Sequence, residues 1–128
     1  EKENIQAIKN LLNNKKFYCE YFFSSFDYYS LKLLRNSMPD SSIGLLIDKF
    51  NNEDIFEIDK IIDLCKSINC FSLGLNLNLI SRKIIKICKK NNLFLNVYSN
   101  KNINFEKANE LWDLGIDSVF TDDPRYFN

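Results

Sequence analysis

Two stretches, Cys70-Phe71-Ser72-Leu73-Gly74-Leu75-Asn76 and Leu93-Phe94-Leu95-Asn96-Val97-Tyr98, decide how this chain folds. Both are short and rich in aliphatic and aromatic residues, as strands are, and alternate side chains of a strand leave on opposite faces. In the first, Phe71, Leu73 and Leu75 point one way and Ser72, Gly74 and Asn76 the other. In the second, Leu93, Leu95 and Val97 oppose Phe94, Asn96 and Tyr98. A central strand of an open α/β sheet, covered by helices on both sides, is apolar on both faces. Here one face is greasy and the other is small, polar or aromatic, which favours a barrel wall beside a pocket.

Outward from these two, residues 17–23, 43–47 and 118–121 have the same strand character, and helical patterns lie between. Ile55, Ile58, Ile62 and Cys65 form one apolar stripe, and Ile80, Ile84, Ile87 and Cys88 another. Helices are expected near 2–15, 27–38, 53–66, 79–91 and 104–114. Asn52 before Glu53 and Asp54 reads as an N-cap with first-turn acids, and Gly115 sits where a helix end needs a left-handed residue. Strict alternation of helix and strand means parallel strands with right-handed crossovers. Two architectures accept five such strands. One is a doubly wound open sheet, complete at this length; the other is part of a (β/α)8 barrel, which needs about 250 residues.

At 128 residues, 45% apolar, the chain is one domain with a real core. Seventeen basic residues balance seventeen acidic ones, so no overall field attracts nucleic acid or anionic lipid. The absence of histidine removes Ser-His-Asp and Cys-His chemistry and every imidazole-dependent zinc site. No apolar run is long enough for a transmembrane segment, and the polar opening residues do not read as a signal peptide. The chain opens on Glu1 within an expected helix and without methionine, so Glu1 need not be the natural start. Cys19, Cys65, Cys70 and Cys88 contain no CxxC pair and read as reduced core residues; Cys65 and Cys70 alone are a poor metal site.

The carboxyl ends of the expected strands carry Ser24, Ser25 and Phe26, then Asp48, Asn76, Tyr98 and Asp122, and barrel enzymes build their sites at that rim. The plainer reading makes Asn76 and Asn96 strand-end groups bonded to loop backbone. Glu20 shares the parity of Phe22 and Ser24, and pointing inward it would need a cationic partner.

The same residues resemble the glycerophosphodiester phosphodiesterase family over nearly the whole chain. Ser24-Ser25-Phe26-Asp27-Tyr28-Tyr29-Ser30-Leu31 is similar to its Ser-Phe element, followed by a helix ending in the turn Met38-Pro39-Asp40. Ile43-Gly44-Leu45-Leu46-Ile47-Asp48 resembles the next strand, Leu75-Asn76 the ending of the one after, and Asn96-Val97-Tyr98-Ser99-Asn100 the family's Val-Trp-Thr-Val-Asn run. Most specific is Leu114-Gly115-Ile116-Asp117-Ser118-Val119-Phe120-Thr121-Asp122-Asp123-Pro124, close to Leu-Gly-Val-Asp-Gly-Ile-Ile-Thr-Asp-Asp-Pro.

The resemblance implies an α/β fold, an incomplete TIM (β/α)8 barrel whose residues 1–128 are the C-terminal portion, strands four to eight. The family's His-Arg-Gly, Glu-Asn-Thr, Glu-x-Asp, second histidine and Glu-x-Lys belong to strands one to three and are not here. The implied activity is hydrolysis of glycerophosphodiesters to glycerol 3-phosphate and an alcohol, with a divalent cation (Mg or Ca) whose ligands lie outside this chain. By itself the chain is then expected to be inactive. Its contribution is a substrate-binding wall: Phe26 and Tyr98 beside the glycerol moiety, Ser25 and Asn76 as hydrogen-bonding groups, and Asp122 at the last strand's mouth. Asp122 has an alternative role, capping the turn at Pro124. Asp48 and Asp122 sharing a metal is the weaker idea. The expected partners are the substrate and the N-terminal half of the barrel, or self-association, with no nucleic acid and no transmembrane segment; the compartment is the cytoplasm. Two other readings stand beside this one: a five-stranded doubly wound signalling or binding domain, and a degenerate barrel remnant without chemistry. The acidic pair, Asp and Lys of receiver domains are replaced here by Ser24-Ser25, Asn76 and Asp122.

Overall fold

The computed structural model describes residues 2–14, 20–51 and 56–127. Helix and strand alternate throughout: α1 (Lys2–Asn14), β1 (Phe23–Ser25), α2 (Tyr28–Ser37), β2 (Ile43–Ile47), α3 (Phe56–Ser67), β3 (Ser72–Asn76), α4 (Arg82–Lys90), β4 (Phe94–Tyr98), α5 (Phe105–Asp113) and β5 (Ser118–Val119), with 3-10 turns at Leu77–Leu79 and Pro124–Phe127. The strands are all parallel, and their order in the sheet is their order in the chain, β1-β2-β3-β4-β5. A doubly wound sheet reverses direction at a switch point. Here nothing reverses, so right-handed crossovers put every helix on one face. The doubly wound reading is thereby excluded, and the fold is five consecutive staves of a barrel.

The helix-facing side of the sheet is the core. Ile43, Leu45, Leu73, Leu75, Leu95 and Val97 are buried there with Leu31 and Leu34 of α2, Ile58, Ile62 and Cys65 of α3, Ile84 and Cys88 of α4, and Ala108 and Leu111 of α5. The opposite face follows the register in small-against-large rows: Gly44 beside Ser72 beside Phe94, then Leu46 beside Gly74 beside Asn96 beside Ser118. Phe71 departs from the face expected of it. It lies one residue before β3, where alternation does not yet hold, and stacks on Phe94 at 5.1 Å while meeting Phe22 edge-on at 6.0 Å.

Helix ends follow local chemistry. Asp27 caps α2 by accepting from the amides of Tyr29 and Ser30 at 3.0 and 3.3 Å, and Ser81 and Asn104 do the same for α4 and α5. The helices α3, α4 and α5 close alike. Asn69, Asn92 and Gly115 adopt positive φ, and the next residue's N–H reaches back to a carbonyl five positions earlier: Cys70 to Cys65, Leu93 to Cys88, Ile116 to Leu111. This is the Schellman turn, in which the two residues so joined also bring their side chains together.

The expected helices and strands are present, with limits shifted by a few residues. The strand expected at 17–23 meets β1 (Phe23–Ser25) only at Phe23, since residues 20–22 lie outside any strand; residues 17–19, Cys19 included, lie outside the described residues, as do Asn52, Glu53, Asp54 and Ile55. Ile80 belongs to the bend before α4, not to the helix. Glu20 is exposed and needs no buried counter-ion.

The inner face tests this packing. A Cβ on Gly44 would stand 2.1 Å from Ser72 Oγ, and that hydroxyl is buried without a hydrogen-bond partner. Gly44→Ala is expected to cost about 1–3 kcal/mol by overpacking. Ser72→Ala should be close to neutral, because it removes an unpaired buried hydroxyl. The cost of Gly44→Ala should shrink in the Ser72→Ala background. Urea unfolding of the four proteins measures this cycle, and additive costs would show that the two positions do not press on each other.

Candidate functional site at the carboxyl ends of the strands

Parallel pairing in sequence order brings the ends of five strands to one rim. Asp48 follows β2, Asn76 and Tyr98 close β3 and β4 as register partners, and Phe26 follows β1. Asn76 Nδ2 donates to Asp48 Oδ1 at 2.9 Å, and the Tyr98 hydroxyl lies 3.0 Å from the same oxygen and 2.9 Å from the Ile47 carbonyl. Asn76 Oδ1 accepts from the Asn78 amide at 3.0 Å, starting the 3-10 turn. The plain reading of Asn76 is what these contacts describe: it bonds loop backbone, and its amide also donates to a rim carboxylate.

These contacts set the electrostatics. The Asn76 amide, then the Tyr98 hydroxyl, hold the Asp48 carboxyl below its ordinary range by bonding the charged form. Burial, reinforced by the Asp48 carboxylate, pushes the Tyr98 phenol upward, so it stays protonated and donates. On the other side of Tyr98 the Phe26 ring meets it edge-to-face at 5.7 Å and 87°. Phe26 remains 58% exposed, so this pair is a wall and not a core.

Phe26, Leu46, Tyr98 and Phe120 line a cleft of about 250 Å³ with Ser99, Lys101, Asn102 and Asp122 on its lip. Three of the expected site residues, Phe26, Tyr98 and Asp122, thus share one cleft; Asn76 lies behind it, joined through Asp48 to the Tyr98 hydroxyl. Ser25 stands apart. Its parity turns it to the helix side, where it accepts from the Asp27 amide at 3.0 Å and lines a separate recess with Ile5, Leu31 and Leu34. Asp122 is not the residue that ties the last turn. Asp123 does so, accepting from the Arg125 amide and guanidinium at 3.1, 2.8 and 2.6 Å, while Asn102 Oδ1 receives the Asp122 amide at 3.2 Å.

Asp48 enters from the sequence only as a rim residue and as the weaker idea of a metal shared with Asp122; Lys101 and Phe120 do not enter. The parity of Phe120, two residues beyond Ser118 on β5, was available as a signal; the loop residue Lys101 offered none. Among the described residues no three His, Cys, Asp or Glu side chains gather as a metal site. Asp48 alone, with one oxygen already shared by Asn76 and Tyr98, does not fit the role of a cation cage.

A family model, glycerophosphoryl diester phosphodiesterase, matches residues 1–126. The chain belongs to this family. Among solved structures, the fold is similar to that of a glycerophosphodiester phosphodiesterase, so described, from Galdieria sulphuraria: TM-score 0.78, 14% identity, covering 98% of this chain and 49% of that one. It is also similar to an Oleispira antarctica phosphodiesterase solved with the product sn-glycerol-3-phosphate: TM-score 0.75, 19% identity, covering 94% and 46%. A glycerophosphoryl diester phosphodiesterase, so described, from Silicibacter pomeroyi DSS-3 gives 0.64 at 17% identity over 82% and 35%. The chain thus spans half or less of these phosphodiesterases. No curated protein matches it.

The polar triad predicts a titration. Because Asp48 is held below its ordinary range, its contribution to stability is complete above that range and fades as pH falls through the folded value. Carboxyl-carbon NMR should show Asp48 protonating below the usual aspartate range, and Tyr98→Phe or Asn76→Ala should each raise that midpoint, the Asn76 change more. An Asp48 midpoint unmoved by either would remove the triad from the account.

Proposed function

We propose that this chain forms strands four to eight of a barrel that hydrolyses glycerophosphodiesters to glycerol 3-phosphate and an alcohol, supplying the substrate wall and none of the proton-transfer groups. The observation that carries this reading is the meeting of Phe26, Tyr98 and Asp122 in one cleft at the carboxyl ends of the parallel strands β1, β4 and β5, in a member of this family. Barrel enzymes bind at that rim.

The chemistry assigns roles by atom type. The glycerol moiety has an apolar C–H face, which the Phe26 and Tyr98 rings cover, and hydroxyls, which Asp48, oriented by Asn76, and Asp122 accept. Lys101 on the lip places an ammonium near the phosphate. Ser25, facing the helices, acts on the site by fixing the turn at Asp27 that presents Phe26. Protonating the leaving alcohol requires an acid near neutral pKa, and this chain has no histidine. The divalent cation, Mg or Ca, and the acid and base come in this proposal from the first three strands.

Support for a completing partner lies in the sheet. Among the described residues β1 pairs only with β2 and β5 only with β4, leaving two unpaired edges. The inner face exposes Phe22, Phe26, Phe71 and Phe120, and Ser72 Oγ and Asn96 Nδ2 are buried on it without partners. The N-terminal staves are the partner proposed; self-association is the competing way to cover the edges. No helix of the described residues is long and apolar enough to cross a membrane. The proposed compartment is the cytoplasm.

The test uses glycerophosphocholine with Mg or Ca. The chain alone should give no turnover, whereas a fusion to the first three βα units of a family member carrying His-Arg-Gly and Glu-x-Asp should be active. In that fusion Tyr98→Ala or Phe26→Ala should raise KM by about tenfold, the order expected for losing an aromatic contact. Robust turnover by the chain alone, or a fusion that folds as a monomer and turns over without regard to Tyr98, would refute the proposal.

A further inference from the structure

The amino ends of the strands, away from the candidate site, hold a second constellation. At the close of α3 the Cys70 amide donates to the Cys65 carbonyl at 2.8 Å and the Asn69 amide to the Lys66 carbonyl at 3.1 Å, with Asn69 at φ 51°. This turn brings the side chains of Cys65 and Cys70 together. In α4 and α5 the equivalent pairs are Cys88 with Leu93 and Leu111 with Ile116, which seal the helix end as apolar contacts. Only α3 has a thiol at both positions, and each thiol shifts the ionisation of the other.

The surroundings distinguish the two thiols. Cys65 is fully buried, whereas Cys70 is half-buried and lines a cleft of about 450 Å³ with Arg35, Asp40, Ser42 and Asn69. The Arg35 guanidinium donates only to carbonyls: Ile68 and Asn69 at 2.9 Å, Ser41 at 2.7 Å, and Pro39. No carboxylate neutralises it in these contacts. The Cys65 thiol, then the charge of Arg35, lower the Cys70 thiol against the cost of its burial. Cys65 moves the other way and keeps its proton, chiefly through the same pairing. Burial pushes Cys88 up to about 11.

We propose that Cys65 and Cys70 are a reversible oxidation site, with Cys70 the attacking thiolate toward a hydroperoxide and Cys65 the resolving thiol. The Cys70 sulfur attacks the terminal peroxide oxygen and the O–O bond breaks. The departing oxygen takes a proton to become an alcohol, or water from hydrogen peroxide. The sulfur of Cys65 then attacks the sulfenic acid, the S–O bond breaks, and hydroxide leaves with the Cys65 proton as water. Two electrons have passed to the peroxide, and a dithiol reductant returns them. The ring closed by the disulfide spans a helix end already held by backbone hydrogen bonds, so oxidation leaves the fold in place.

Peptide mass mapping after limited hydrogen peroxide tests this on the full chain. The peptide containing both residues should lose two hydrogens and regain them with dithiothreitol, while Cys88 stays reduced. In Cys65→Ala, confirmed folded by circular dichroism, Cys70 should be captured by dimedone as a sulfenic acid. In Cys70→Ser no dimedone adduct should appear on Cys65. Iodoacetamide should alkylate Cys70 at least about tenfold faster than Cys88. Equal alkylation of Cys70 and Cys88, or peroxide oxidation without a Cys65–Cys70 bond, overturns the proposal.

Discussion

Everything in this structure depends on parallel pairing in unbroken sequence order. With β1 to β5 laid side by side as they occur, each right-handed crossover returns on the same side, so one face collects all five helices and the other collects none. The asymmetry of the strands is the sequence's answer to that constraint. Leu73, Leu75, Leu95 and Val97 meet helices; Gly44, Ser72, Gly74 and Asn96 face a curved interior in which bulk must alternate with its absence. Gly74 shows the rule directly: a Cβ there would lie 2.4 Å from Leu46 Cδ2, so the glycine is the space the leucine occupies.

How much of this the residues disclose depends on the range of the interaction. Strand parity is a local property, and Leu93 to Tyr98 announce both faces without knowledge of their neighbours. Caps are local too, as Gly115 shows at the end of α5. Phe71 is misassigned by parity because its orientation is set by Phe94 and Phe22, which are remote in sequence. The rim is readable as a set of strand ends. Which end groups bond to which is not, since Asn76 and Asp48 are joined across two strands and Tyr98 on β4 reaches past β3 to the Ile47 carbonyl of β2. Ser25 and Phe26 are adjacent, and one peptide unit decides that one faces helices and the other the cleft.

The two ends of the strands solve different problems. At the carboxyl end, loops bring side chains to a cleft, and Asp48 is held charged chiefly by the neutral donors Asn76 and Tyr98, with the Lys49 charge a smaller contribution. At the amino end, Arg35 gathers four backbone carbonyls from two loops and so fixes the entry to β2 and β3. A cation used in this way is a structural clamp that forms no ion pair among the described residues, and Cys70 sits in its field.

That separation bears on how a wall of this kind is made independent of its chemistry. A rim carboxylate is useful only if its position survives changes elsewhere, and the Asp48 triad is built from β2, β3 and β4, whose mutual pairing is the most extensive in the sheet. β1 and β5 are short and pair on one side only, so Phe26 and Asp122 hang from the least constrained strands. The centre of the site is therefore rigid within this chain, and its flanks take their final position from whatever closes the two edges.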